Sequence, residues 1–507
     1  MRALILFTSL GLALSTLTSS AGQELCTDVS AGRASLRDVP AVTAAVDAFY
    51  AKTGKSCAWG PADADALMRA VEAAPEHGLD PEIFSASRIA SSRGDSDETS
   101  KATLDVQLTA AAMKYALVMT TGLANAVSSD NTDRRGLQKK LISELEAALA
   151  QDNIRAWIKT LPPQAAGYER LKYALNVYRD FDAAGGWEEL PASLSTKSAK
   201  RLAQDQRLER RLRIEGDLRD DDVDDDDDSN PIADALKRFQ RRHGLAPRGK
   251  VDKATLQALN VSAHERVLQI AANLERWRTY SRIPPATRVE VNAAAAIATL
   301  YRENEPVMVM NAVVGKPKHD TPILQSTITT VVINPPWIVP RSIIENEIKP
   351  AIEKRPDYLE RNRMYWSGDQ IIQEPGPGNS LGRIKFEFPN NYGVYLHDTP
   401  AHALFKDIDR AQSHGCVRLE RPVDLAEDLL RDNGDEWSRD NIMEAIQEGE
   451  TVRVQLAQEM PVTIAYWTAF VADDGTVEFR PDIYGRDAPL AATLMPQSAE
   501  SADRRGA

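Results

Sequence analysis

Residues 395–422 read YLHDTPAHALFKDIDRAQSHGCVRLERP. A cysteine, Cys416, follows a Ser413-His414-Gly415 turn, and a second histidine, His397, closes the strand-like run GVYLH upstream. Cys416 could be a small buried hydrophobe, half of a disulfide, a metal ligand or a nucleophile. A free thiol, with a pKa of ~8.5, is mostly protonated near neutral pH and needs a base or a cation to become a nucleophile. Either histidine could take that proton and return it to a leaving amine. His414 is two residues from the cysteine, so on a strand both side chains would share a face. Gly415 permits a tight bend that aims several N–H groups at one point, which an oxyanion hole requires.

Other cysteines narrow the choice. The chain holds three: Cys26, Cys57 and Cys416. Its first residues, MRALILFTSLGLALSTLTSSAGQ, read as a secretory leader over 1–21: Arg2, then a mostly apolar run too short for a comfortable membrane span, then Ser19 and Ala21. The alternative is a retained membrane anchor, the one way the chain would touch a membrane. Secretion places the cysteines in an oxidising compartment, where Cys26 and Cys57, close in sequence, pair and leave Cys416 alone. No second cysteine lies near Cys416 to complete a zinc site. Thiol chemistry needs neither metal nor organic cofactor, and none is expected.

The whole chain, 507 residues with a formal net charge of −13, fits about three domains and argues against nucleic acid as a partner. Residues 22–190 read as a helical scaffold. Val42, Val46, Phe49 and Tyr50 recur at helical spacing, and LDVQLTAAAMKYALVMTTGLANAV reads as a buried helix despite Asp105, Gln107 and Lys114. Residues 191–261 hold three short helical patterns around an acidic loop, 217–228. Nine aspartates fall in residues 216–231, a solvated loop rather than a calcium site, which would carry a turn glycine among its acids. A connecting helix over 262–285 starts at a Ser262/Glu265 capping box. From 286 to 490 the pattern is β-rich, with TRVEVN, PVMVMNAVVG, STITTVVIN, RIKFEF, GVYLH and TVRVQL as strands and a helix from Arg421 to Leu430. Residues 338–380 do not fit a strand; they read as a helical capping insertion followed by a GPGNS loop, and 491–507 as a disordered tail. The fold class is therefore multidomain α plus mainly β.

Two resemblances give these patterns a family. His397 followed by Ser413-His414-Gly415-Cys416-Val417-Arg418 resembles the signature of the L,D-transpeptidase (YkuD-type) catalytic domain. Gly315-Lys316-Pro317 with Thr321-Pro322, INPPWIVPRSI and YWTAFVADDGTVEFRPDIYGRD are similar to its large periplasmic subgroup. Phe239-Gln240, His243-Gly244-Leu245, Gly249, Val251, Thr255 and Leu259-Asn260 resemble the peptidoglycan-binding helical module. The resemblance implies that Cys416 attacks the diaminopimelate–D-Ala bond of a tetrapeptide stem, releases D-Ala and passes the acyl group to the side-chain amine of a second stem. It implies His397 as the proton partner, His414 as a pocket-shaping or polarising group, and Gly415 and Cys416 N–H as oxyanion donors. It also implies peptidoglycan stems and glycan strands as partners, a periplasmic or wall location, and acylation by carbapenems.

Four further residues are candidates for substrate contact. Arg418 could grip a carboxylate in a two-pronged bond, or pair with Glu420 or Asp424. Trp337 could stack or simply pack. Ser413 lies in the turn. Asp398 stands where many relatives have glycine, which leaves open whether a side chain or a backbone carbonyl orients His397. A hydrolase on the same site, a transpeptidase that anchors a protein lysine, and a non-catalytic wall-binding protein remain alternatives. Oligomeric state is not legible.

Overall fold

The computed structural model describes residues 30, 40–53, 57–94, 97–127, 132–220, 230–280 and 283–496. The expected leader, Cys26 and most of the acidic run lie outside them. The chain forms two compact units, residues 1–75 with 80–162, and residues 76–79 with 163–507. The expected scaffold boundary at 190 is thus corrected: the helix Ala166–Ala183 packs on the connecting helix, Ala263–Thr279, burying Tyr168, Leu171, Leu175, Val267, Ile270 and Leu274 together.

In the first unit, Pro40–Lys52 buries Val42, Val46, Phe49 and Tyr50, and Glu98–Thr121 is buried nearly all round. Asp105 survives inside that helix because it is paired. It accepts the Tyr50 hydroxyl at 2.5 Å and the backbone N–H groups of Ala58 and Trp59 at 3.0 Å, as a buried carboxylate must. Among the described residues no helix is long and apolar enough to cross a membrane.

In the second unit, Gln206–Ile214, Pro231–Arg242 and Lys253–Leu259 enclose Leu208, Leu212, Leu236, Phe239, Val251 and Leu259. The module's motif residues are spent on this packing. Gln240 donates to the Lys250 carbonyl at 2.7 Å and accepts the Gly249 N–H at 2.9 Å. Gly249 has φ +64, and a Cβ there would stand 2.9 Å from the Ala233 carbonyl. Asp217, the first residue of the expected solvated loop, is a correction: it is buried and binds Arg242 at 2.5 Å. The connecting helix opens with the expected capping box. Its Arg276 meets Asp487 at 2.6 Å, and Asp487–Leu494 is a helix with Ala491 and Leu494 buried, so the first residues of the expected disordered tail are folded.

The β-rich region is a nine-stranded mixed sheet: β1 Arg288–Asn292, β2 Ile297–Arg302, β3 Glu305–Gly315, β4 Leu324–Ile333, β8 Ile384–Glu387, β9 Leu396–His397, β10 Ala411–Ser413, β11 Val417–Leu419 and β12 Val452–Ala465. Its order is β10-β3-β11-β9-β8-β4-β12-β1-β2, and β3 also pairs with β2, which closes the ladder on itself around the core. β2 escaped the sequence reading because its turn to β3 is Glu303-Asn304, both at positive φ, rather than a glycine pair. The insertion differs from expectation as well. Besides helical turns over 341–361 it contains a small sheet of β5 Trp337–Ile338, β6 Met364–Ser367 and β7 Gln370–Gln373. Its two-residue Gly368-Asp369 turn, with Gly368 at φ +63, was the legible hairpin signal.

Candidate active site

The closed sheet puts the signature residues on adjacent strands. β11 runs parallel to β9, pairing Val417 with Leu396 and Arg418 with His397, and β8 pairs Lys385 with His397. Side chains alternate along a strand. Val417, Leu419, Leu396 and Phe386 therefore face the core, and Cys416, Arg418, Tyr395, His397 and Lys385 share the opposite face.

Cys416 sits on a clamped turn. Gly415 has φ +114, where L side chains are strained. Its carbonyl accepts the Thr321 hydroxyl at 2.9 Å, while Thr321 Oγ1 accepts the Gly315 N–H at 2.8 Å and the Tyr484 hydroxyl donates to the Gly315 carbonyl at 2.8 Å. Ser413, buried, donates its hydroxyl to the Cys416 carbonyl at 2.6 Å and accepts the Gly415 N–H at 3.1 Å. Two expectations change here. Ser413 shapes the turn rather than touching substrate, and the Gly415 N–H is already engaged, which removes it from the oxyanion donors.

His397 is buried. Its Nδ1 lies 2.5 Å from the Asp398 carbonyl, an oxygen that can only accept, so Nδ1 carries the proton and Nε2 is the basic nitrogen. Burial, helped by the positive charge of Arg418, depresses its pKa to about 3. A backbone carbonyl therefore orients His397. The Asp398 carboxylate, expected at the substrate, is instead buried and accepts the Arg383 N–H at 2.8 Å; burial raises its pKa.

His414 is exposed. Its Nε2 meets the Glu347 carboxylate of the insertion at 2.6 Å, with Lys316 Nζ at 3.4 Å and the His319 ring edge-on at 5.1 Å. A carboxylate partner makes that nitrogen a donor.

Tyr395 lies beside the Cys416 thiol and beside Trp337. Burial pushes the thiol pKa up, opposed by Tyr395, Lys385 and Arg418. Lys385 Nζ stands 4.3 Å from the Tyr395 ring. Arg418 has no ion pair among the described residues, and its Nε is buried without a hydrogen-bond partner. The candidate partners are engaged elsewhere, Glu420 with Asn311 and Asp424 with Arg421 and Arg439. Sequence reading missed Tyr395 and Lys385, although Tyr395 stands two residues before His397 on the same face. It also missed Glu347 and Tyr484, for which no local signal exists.

Of the other cysteines, Cys57 is in a disulfide and Cys416 is free; Cys26 lies outside the described residues.

Three family models match the chain: the YkuD L,D-transpeptidase catalytic domain over 286–454, the scaffold domain over 44–175, and one described as "Putative peptidoglycan binding domain" over 203–259. A relative from Haemophilus influenzae, described as "Putative L,D-transpeptidase", is 28% identical over 269 residues, 48% of this chain and 54% of the relative. The chain thus spans about half the length of the curated relative it matches. Among solved structures, L,D-transpeptidase 1 of Mycobacterium tuberculosis is 17% identical over 36% of this chain and 61% of its own, at a TM-score of 0.17. The L,D-transpeptidase (Yku) of Stackebrandtia nassauensis is 15% identical over 51% and 88%, at a TM-score of 0.20. At those scores neither carries weight here. Residues 286–454 thus match the YkuD L,D-transpeptidase catalytic domain, preceded by matches to the scaffold domain and to the putative peptidoglycan binding domain.

Proposed function

We propose that this protein is a peptidoglycan L,D-transpeptidase that works outside the cytoplasm after loss of the leader. The module over 191–261 addresses the wall, and Cys416 performs the chemistry. The observation that carries this reading is the shared face of Cys416, His397 and Arg418, with the His397 tautomer held by the Asp398 carbonyl and Arg418 left without a counterion.

A raised thiol pKa and a depressed imidazole pKa make the resting pair neutral. The thiol proton therefore passes to His397 Nε2 as sulfur attacks the diaminopimelate carbonyl, not before. Arg418 holds a stem carboxylate through charge-assisted bonds. The Cys416 N–H and the Tyr395 hydroxyl face the developing oxyanion. The tetrahedral species expels D-Ala, whose amine takes the proton from His397, and a thioester remains. The side-chain amine of a second stem attacks the thioester, loses a proton to His397, and expels the Cys416 sulfur, which regains that proton.

The test is mass spectrometry of muropeptides made by the purified protein and by Cys416→Ala. A cross-link between two third-position residues, absent in the variant, supports the reading. Only shortened tripeptide stems would make the protein a hydrolase, and products from the variant would end the cysteine mechanism. We also propose the Cys26–Cys57 disulfide. One free thiol per denatured, unreduced chain supports it, and three would refute it.

A further inference from the structure

Lys385 stands on the Cys416 face and takes no part in the reaction steps already assigned. Backbone pairing places it. His397 has Arg418 of β11 as its partner on one side and Lys385 of β8 on the other. Neighbouring strands lie about 4.8 Å apart, so the two cations flank the imidazole, one strand to either side. Lys385 Nζ is held 2.9 Å from Glu387 and 4.3 Å from the centre of the Tyr395 ring. Burial is the largest influence on Cys416 and on His397, and the Lys385 charge reaches both, lowering the pKa of each.

Glu387 does not use up this ammonium. Arg453 also binds Glu387, at 2.5 and 3.3 Å, so that carboxylate keeps a counterion when Lys385 turns to another anion. An ammonium has three donors, and Glu387 takes one. The Lys385 side chain keeps 20% of its surface exposed, so a ligand can reach it.

A donor stem presents two carboxylates at the reacting centre. One is the free carboxylate of diaminopimelate, the other is the terminal carboxylate of D-Ala, and the scissile amide lies between them. Arg418 follows Cys416 by two residues and shares its face, so it stands on the acyl side. Lys385 stands beyond His397, the group whose proton goes to the departing amine. We propose that Lys385 binds the terminal carboxylate of the leaving D-Ala while Arg418 binds the diaminopimelate carboxylate, so that the site reads the free end of the stem. This inference rests on the transpeptidase reading.

The experiment measures kcat/KM of the full chain on two donor stems, one ending in D-Ala and one in D-alaninamide, by mass spectrometry of the products. The wild type should prefer the free acid about 10- to 100-fold, which is what one charged hydrogen bond contributes. Lys385→Met keeps an aliphatic chain over the Tyr395 ring and should remove most of that preference; Lys385→Arg should retain most of it. Because the ratio compares two substrates on one variant, a general loss of folding or of thiol reactivity cancels. No preference in the wild type, a preference that survives Lys385→Met, one lost equally in Lys385→Arg, or one lost only when Lys316, the cation beside His414, is replaced by Met would overturn the assignment while leaving the transpeptidase standing. If the wild type cleaves neither stem and Cys416 is never acylated, the transpeptidase reading fails and takes the role of Lys385 with it.

Discussion

In the helical module Arg242 is buried against Asp217 at 2.5 Å and Glu215 at 3.0 Å, and Arg211 binds Glu215 at 2.5 Å. On the catalytic face Arg418 is half-buried beside Cys416 with no carboxylate in reach among the described residues. Both regions take guanidinium groups out of water, at a cost that a counterion must offset. The module supplies its counterions from its own chain, so its charges hold the module together. The Cys416 face leaves a cation uncompensated, as the proposed site for an anionic substrate group requires. The two histidines of the signature differ likewise: His397 is buried on a backbone carbonyl, whereas His414 is exposed on a carboxylate of the insertion.

Substitutions at four positions probe this contrast. His397→Ala should slow acylation of Cys416 by about 10²–10⁴-fold, the range for losing a general base. Intact-protein mass against time, with a carbapenem as probe, measures it; an unchanged rate would transfer the role to His414. His397 also predicts a pH effect on stability. Its folded pKa, about 3, is below the unfolded 6.5, so the unfolded chain binds more protons between those values. Its contribution is full above about pH 6.5 and declines as pH falls toward 3, and His397→Asn should flatten that limb of a denaturant-midpoint-versus-pH curve.

Glu215→Gln should destabilise the module by about 3–5 kcal/mol, because it leaves two buried guanidinium groups short of charge. Its acylation rate per folded molecule should stay that of the wild type. Hydrogen exchange resolved to residues 206–259 reads this, and unaltered protection would show that the pairs are not structural.

Arg418→Met should have the reverse profile. Stability should hold or rise slightly, and turnover of a stem should fall about 10- to 100-fold, for the loss of ~1.5–3 kcal/mol of charged hydrogen bonding. A variant that melts early but turns over normally would make Arg418 a structural residue.

Glu347→Gln should have the smallest effect. The Glu347–His414 pair is exposed, so its loss should cost under about 1 kcal/mol and change acylation only a few-fold. A drop comparable to that of His397→Ala would instead make this contact essential to the site.

Much of this molecule was written locally. Period-2 runs marked most of the strands, the Ser262/Glu265 pair marked the connecting helix, and the Ser413–Arg418 run singled out the free thiol proposed as nucleophile, because each depends on neighbours within a few residues. Three features went unread. β2 turns on Glu303-Asn304, whose positive φ values have no glycine to announce them. The insertion's hairpin was masked by the helical run before it. Asp217 looked like the start of a solvated acid run until Arg242, 25 residues on, came to meet it.

The sequence by itself determined the residue types of the site, the helical and β-rich halves of the chain, and a free thiol beside two histidines. Only the tertiary structure decided that His397 is buried on a backbone carbonyl while His414 is exposed, that the Gly415 N–H is already used, that Tyr395 lies beside the sulfur, and that Arg418 has no ion pair among the described residues. The reason is physical. Residue type and spacing follow the chain, but hydrogen-bond partners and desolvation are set by which strands lie side by side, and pairing β3 with β11 joins residues that lie roughly 100 positions apart, such as Val313 with Arg418.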